Sequence, residues 1–455
     1  VQNVIATPSS SRHEAPRLTL RVEGATHLLY DRSDQRYRKL TTSEAFLLLA
    51  SLEMGALAAR ALLGSRIGDD DAALAFATLE TLGALTDGRF TGRVLELPVV
   101  DGAWSSPLVA HLGVTLACNF ACSHCYSSSG KRAPGELSLT EIQAIVDALF
   151  DMGCMKLVLG GGEPFVRKDL AAVVAYANAR GVDTFVHTNG SLLDEDVLRA
   201  LSTSPPAGFA VSLDGPDEKT NDRVRGAGAF AKALRGLSTL RAHYAPGFHL
   251  SFTVTPENAS STDVMVDVAR REGAKLLLLR PAYPAGEALK EPGLACDRDT
   301  FASAIDRARR RANDVGLAID APHPHEQGEP DFEGFGCVAA KVVMGISPTG
   351  DVTPCLNLPE RFLSGNVRHA SLDDLWRSGA SFSTLRAVMP TEQCSTCRHY
   401  DTCRGGCRVR ALHVGSGLDG PDSWCHYEPR DDVDDATRAR LSTMKTKRDL
   451  LRVLA

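Results

Sequence analysis

Cysteine carries the chemistry that this chain most plainly advertises. Twelve occur in 455 residues, and ten of them fall in two groups. The first is Cys118-Asn119-Phe120-Ala121-Cys122-Ser123-His124-Cys125-Tyr126. Three thiolates so close can hold three corners of a cubane iron–sulfur cluster and leave the fourth iron without a protein ligand. An open iron can chelate a small molecule, which turns a cluster from a wire into a reagent. A Cys-x2-Cys redox pair would leave Cys118 unused, and zinc would need a fourth ligand such as His124. The second group runs Cys337, Cys355, Cys394, Cys397, Cys403, Cys407 and Cys425. Seven thiols supply one four-ligand site and most of another, and on spacing alone zinc and iron–sulfur stand level.

Metal ligation is preferred to disulfides because Val1 to Pro16 contains no apolar signal core, so a cytoplasmic chain with reduced thiols is expected. Fifty basic against 56 acidic residues give a net charge of −6. That balance offers no footprint for nucleic acid, and no apolar run is long enough to span a membrane.

The elements that must position these thiols come next. Residues 1–16 read as a flexible arm. Leu18 to Val22 alternates like a strand, 27–40 reads as a hairpin, and Thr41-x-x-Glu44 caps the first of three helical stretches. This is a small α+β unit over 17–95, whose last residues fall in a linker-like stretch over 87–107. The middle alternates strands, near 108–116, 156–159, 184–187, 209–213, 249–254 and 275–279, with helical patterns. Six β-α units, with strands apolar on both faces, imply a parallel sheet wrapped by helices, either a partial barrel or an open sheet. Residues 331–430 are loop-rich and too poor in apolar sequence for a core of their own, so metal is expected to supply folding energy. A charged helix is expected over 431–455.

The strand ends carry a series of short motifs. Gly160-Gly161-Gly162-Glu163-Pro164 follows the second strand, and its carboxylate can accept from an ammonium. Thr188-Asn189-Gly190 follows the third. Ser212-Leu213-Asp214-Gly215 ends the fourth, with Arg225-Gly226 soon after; a hydroxyl and carboxylate suit ribose, and a guanidinium suits a carboxylate. In an α/β sheet, ligands gather at these carboxyl ends.

This ordered set resembles the radical S-adenosylmethionine (SAM) superfamily over about residues 108–320. The resemblance implies a partial (β/α)6 barrel and a [4Fe–4S] cluster on Cys118, Cys122 and Cys125. SAM would chelate the open iron, contacted by Tyr126, Gly161, Gly162, Glu163, Pro164, Asn189, Ser212, Asp214 and Arg225. One electron would break its carbon–sulfur bond, and the resulting 5′-deoxyadenosyl radical would take a hydrogen atom from substrate. Two positions depart from the family pattern: His124 stands where an aromatic residue is usual, and Asn221 where histidine is common.

The later cysteines, with Gly350 before Cys355, resemble the SPASM domain of radical SAM peptide-modifying enzymes. That resemblance places Cys394, Cys397, Cys403 and Cys425 on one auxiliary [4Fe–4S] cluster, and Cys337, Cys355 and Cys407 on another, three clusters in all. The last set lacks a fourth thiolate; Asp331, Glu333, His323, His325 and Cys296 are considered for it, whereas Cys154 reads as core.

The unit at 17–95 is similar to winged-helix-like domains that recognise precursor peptides in maturases of ribosomally made peptides, taking a leader as an added strand. Together these readings imply a peptide maturase that abstracts hydrogen and forms an oxidative carbon–carbon, ether or thioether crosslink. A flavodoxin- or ferredoxin-type donor would supply electrons. Two alternatives are kept. One is the same chemistry on another substrate, by formylglycine formation or small-molecule dehydrogenation. The other is a non-catalytic zinc or redox protein.

Overall fold

The computed structural model describes residues 15–321, 337–389, 391–425 and 427–437. Most of the arm, His323, His325, Asp331, Glu333 and most of the expected C-terminal helix lie outside them. Among the described residues no helix is long and apolar enough to cross a membrane.

The N-terminal unit is a four-stranded sheet, β1 (Leu18–Glu23), β2 (Thr26–Asp31), β3 (Arg36–Leu40) and β4 (Arg93–Glu96), in the order β3-β2-β1-β4. Three helices, α1 (Thr42–Met54), α2 (Ala56–Ile67) and α3 (Asp69–Thr81), cover one face around Leu20, Leu29, Leu48 and Leu79. The Thr41–Glu44 pair forms the reciprocal capping box at the start of α1. β4 lies inside the stretch expected as linker and pairs parallel to β1.

The other face of this sheet rests on the amino ends of a larger one. That larger sheet has ten strands: β5 (Val109–Thr115), β6 (Lys156–Gly161), β7 (Asp183–Thr188), β8 (Gly208–Ser212), β9 (His249–Val254), β10 (Leu276–Pro281), β11 (Ala318–Asp320), β12 (Val343–Ile346), β13 (Asp351–Thr353) and β14 (Gly365–Asn366). Their order is β11-β10-β9-β8-β7-β6-β5-β12-β13-β14, parallel from β11 to β12. Helices α4 (Leu139–Met152), α5 (Leu170–Arg180), α6 (Glu195–Leu201), α7 (Glu218–Arg225), α8 (Ala229–His243), α9 (Thr262–Glu272) and α10 (Arg298–Val315) connect β5 to β11. The six expected β/α units are present, and the short strands β11 and β12 extend the parallel sheet at its two ends.

Two expectations change. The strands are not apolar on both faces: on β9, Leu250, Phe252 and Val254 are fully buried under helices, while His249, Ser251 and Thr253 alternate with them on a partly open face. Nor does the C-terminal segment depend on metal alone for a core. β12 joins the main sheet, and Met344, Ile346, Trp376 and Phe382 share the same apolar cluster as the barrel strands. The Trp376 indole N–H also donates to the Trp104 carbonyl at 3.0 Å.

Candidate active site

The chain leaving β5 folds back on itself before it presents its thiols. The Cys118 N–H donates to the Gly130 carbonyl and the Gly130 N–H to the Leu116 carbonyl, both at 2.9 Å. The Glu136 carboxylate braces this loop through Thr115 Oγ1 and the Leu116 and Ala133 amides. Ser123 N–H reaches the Val224 carbonyl on α7, and Glu287 N–H reaches the Cys125 carbonyl. At Gly286 a Cβ would lie 2.3 Å from the carbonyl oxygens of Cys125 and Tyr126. Only glycine lets the segment after β10 close on the loop this tightly.

Cys118, Cys122 and Cys125 stand within each other's fields. Burial pushes the Cys122 thiol up to about 11; Arg225, with Nη1 4.0 Å from its sulfur, opposes this, while Asp214, Cys125 and Cys118 add to it. Cys118 is raised as well, again chiefly by burial. The Ser129 amide points at Cys125 Sγ at 3.4 Å. Among the described residues no three His, Cys, Asp or Glu groups close around a single metal ion. A single zinc would draw sulfurs to about 3.8 Å of each other, given a Zn–S length of ~2.3 Å. The Cys118 and Cys122 thiols, raised first by burial and then by neighbouring thiols and carboxylates, with Arg225 opposing, make a site that a cluster's iron would ionise.

The motifs at the adjoining strand ends knit together. Glycines 161 and 162 hug the β5 loop: a Cβ on either would strike the Thr115 or Ala117 carbonyl oxygen. Glu163 is fully buried, accepting from Thr188 Oγ1 and the Asn189 N–H at 2.7 Å and from the Phe165 N–H at 3.2 Å. Burial still raises its carboxyl to about 7, because these bonds and Arg225 offset only part of the desolvation. Asn189 also donates to Asn119 Oδ1 on the cysteine loop at 2.9 Å. Pro164 is buried beside Glu163, and Ser212 sits opposite Ser251 at the end of β8.

Asp214 is the junction of the upper end. Fully buried, its Oδ2 lies 2.6 Å from both His124 Nε2 and Arg225 Nε, and its Oδ1 accepts from the Thr253 N–H at 2.7 Å. Asn221 Oδ1 takes the Asp214 N–H at 2.9 Å. Burial works to raise this carboxyl, but Arg225 and His124 outweigh it and bring it down to about 2. Both departures from the family pattern, His124 and Asn221, therefore meet at this one carboxylate.

The later cysteines separate into two neighbourhoods. Burial, then Cys337 and Cys407, lift Cys355 to about 12. Cys403 is raised by burial and by Asp422, Cys394 and Cys397. Asp422 links the two sets: its Oδ2 accepts from the Cys407 N–H at 2.8 Å and from Arg410 at 2.6 Å, while its carbonyl accepts the Cys425 N–H at 3.0 Å. Tyr126 feels both Cys125 and Cys355, beyond the effect of burial. It thus bridges the first loop and the Cys355 set. Cys154 and Cys296 are buried in the apolar core. Sequence reasoning missed Glu136, Arg410, Asp422 and Tyr126 as a bridge; the Asp419-Gly420-Pro421-Asp422 turn was the available signal for Asp422.

Comparison with known proteins follows the same division. Residues 112–269 match the radical SAM superfamily and residues 337–404 match SPASM, an iron–sulfur cluster-binding domain. The chain is 37% identical over 327 residues to mycofactocin maturase MftC of Mycobacterium ulcerans, covering 70% of this chain and 88% of that protein. It is 30% identical to the AdoMet-dependent heme synthase of Nitratidesulfovibrio vulgaris, covering 72% and 95%. Among solved structures, Streptococcus suis SuiB bound to S-adenosylmethionine shares the fold with a TM-score of 0.71 at 17% identity, over 90% of this chain and 99% of that one. Native anSMEcpe with bound AdoMet gives 0.55 at 15% identity, over 76% and 98%. S-adenosylmethionine and iron–sulfur clusters are accordingly the cofactors, and the chain is a radical SAM enzyme that belongs to the superfamily members carrying a C-terminal SPASM domain.

Proposed function

We propose that this enzyme matures a ribosomally made precursor peptide by oxidative crosslinking, joining carbon to carbon, oxygen or sulfur. The observation that carries this reading is the N-terminal sheet: β3 is its edge strand, and among the described residues nothing pairs with its outer side. An open edge can take an extended leader as a further strand. Exposed Arg36 and Lys39 on β3 make an acidic leader the complementary partner. The relatives named mycofactocin maturase and the fold shared with SuiB, solved also bound to its precursor peptide SuiA, support the same reading.

In this reading the unit at 17–95 holds the leader and the barrel over 108–320 receives the core peptide. Cys118, Cys122 and Cys125 hold the cluster that binds SAM. Cys394, Cys397, Cys403 and Cys425 hold one auxiliary cluster in the 331–430 region, and Cys337, Cys355 and Cys407 another. When bound, SAM and its cluster supply a one-electron oxidant able to remove a hydrogen atom. Glu163 receives the ammonium of SAM, with Gly161, Gly162 and Pro164 shaping that end and Asn189 beside it. Ser212 and Tyr126 face the nucleoside, and Arg225, steadied by Asp214, faces the carboxylate. A flavodoxin- or ferredoxin-type protein supplies electrons.

The test is an anaerobic reaction of the purified enzyme with each short peptide encoded beside its gene. A product lighter by two hydrogen atoms, formed only with SAM and reductant, is expected. Peptides left unchanged while SAM is cleaved would contradict the proposal.

A further inference from the structure

The inner face of the barrel carries an unusual set of side chains for a sheet interior. On β7, Val186 and Thr188 are buried on the helix side, yet His187 between them is exposed on the opposite face of the sheet. The register pairs His187 with Ala210 and Ala210 with His249, so the two imidazoles flank one alanine in a single row. At a strand spacing of about 4.8 Å their backbones lie ~10 Å apart, leaving space between the rings for a small group. His111 lies one row lower, opposite Val158. The pairing of Leu159 with Val186 brings Gly160 beside His187, and a Cβ there would meet nothing within 4 Å.

The hydrogen-bond donors around this row outnumber the acceptors left to them. Arg280 stands at the rim, and Asp320 beside it is already engaged by Arg280 Nη2 at 2.8 Å, with the Asp320 carbonyl taking Nη1 at 2.9 Å. Glu163 and Asp214, the acids of the upper end, are consumed by the contacts described above. Protein atoms surround His187 closely although water reaches it. That desolvation, then His111, Arg280 and His249, lowers His187 to about 3, and desolvation lowers His111 to about 4. His249 is lowered too, first by desolvation and then by Lys275, against Asp320, which Arg280 already engages; three imidazoles on one sheet face are thus held neutral, each with an N–H to donate.

We propose that the row formed by His187, His249 and the space over Gly160, with His111 beneath and Arg280 at the rim, binds a carboxylate of the substrate. An entering anion supplies an acceptor for these N–H groups, makes the hydrogen bonds charge-assisted and favours protonation of an imidazole. The inference rests on the peptide reading only for the owner of that carboxylate, which is either the chain terminus or an aspartate or glutamate side chain.

Calorimetric titration of the SAM-loaded holoenzyme tests this without turnover. The probes are N-benzoylglycine and its amide for a chain terminus, and N-acetyl-aspartate α-amide and its asparagine counterpart for a side chain. At least one acid is expected to bind tenfold or more tighter than its amide, and the pair showing the preference names the source. That preference should collapse in the double variant His187→Gln/His249→Gln and in Gly160→Leu, which fills the space without replacing an imidazole. Unchanged iron content marks a folded variant. Equal affinity of acids and amides for the wild-type enzyme, or a preference undiminished in the folded variants, would overturn the proposal. Because binding alone is read, that failure is distinct from failure of any peptide to be modified.

Discussion

The two ends of the barrel use buried polar groups in opposite ways. At the lower end, against the N-terminal sheet, every charge has been matched. Arg21 is fully buried, bound to Glu23 Oε1 at 2.8 Å and to the carbonyls of Ser106, Pro107 and Gly153, while Glu23 Oε2 accepts the Ser105 N–H at 2.7 Å. Tyr30 Oη donates to Asp183 at 2.7 Å, and Tyr37 Oη bridges the Leu108 carbonyl and the Met155 N–H. Around them Leu28, Trp104, Leu108 and Val342 close an apolar seam. At the upper end the balance is left open: three crowded thiols, a carboxyl raised to about 7 and a single guanidinium. A closed ledger holds two units in one orientation. An open one stabilises cations and cofactors when they arrive.

This contrast can be broken from either side, and removal of a thiol does so most severely. Cys122→Ala should abolish SAM cleavage and lower bound iron by about four per chain, the content of one cubane, as read by metal analysis after anaerobic purification. At the lower end, Arg21→Met strands Glu23 as a buried unpaired charge. A loss of about 3–5 kcal/mol in denaturant unfolding is expected, largely restored by the double variant Arg21→Met/Glu23→Leu.

Asp214 gives a smaller, pH-dependent effect. Its folded pKa lies below the ordinary value near 3.8, so its stabilisation is present above that value and lost as pH falls toward about 2. Asp214→Asn should cost about 2 kcal/mol at neutral pH and flatten the acid limb of the stability curve. For Glu163 the sign reverses: a folded pKa of about 7 favours the neutral carboxyl, whereas an ammonium needs the carboxylate. SAM affinity should therefore weaken as pH falls below 7, approaching tenfold per unit, and equilibrium dialysis reads this directly. Charge reversal of exposed Arg36 and Lys39 on β3 is the mildest change, about fivefold on leader affinity at low salt, and it should leave cluster content untouched. Deleting the N-terminal unit is a poorer test, since it would expose Leu108, Met155 and Val342.

The upper end was the more legible in the amino-acid sequence. Short motifs at the ends of successive strands must meet in space once the sheet is parallel, so Cys118, Glu163, Asn189 and Asp214 could be grouped without coordinates. What could not be read was their mutual wiring. His124 and Asn221 each look like a neutral departure until Asp214 is seen between them. The polar sheet face was hidden for another reason. His249-Leu250-Ser251-Phe252-Thr253-Val254 is a strand in either environment, and only the tertiary fold decides that its polar half stays partly open. The strands of the C-terminal segment are short, three residues in β13, which is too few for periodicity to register. Beyond the local Arg21–Glu23 pair, the buried lock of Arg21, Tyr30 and Tyr37 joins residues 71 to 153 apart in sequence, a pairing that no local pattern encodes.

The most direct measurement of what the open end holds is iron, acid-labile sulfide and zinc per chain after anaerobic purification. About twelve irons with matching sulfide, the content of three cubanes, are expected, with zinc absent. About four irons accompanied by stoichiometric zinc would contradict the assignment of the later cysteines to auxiliary clusters.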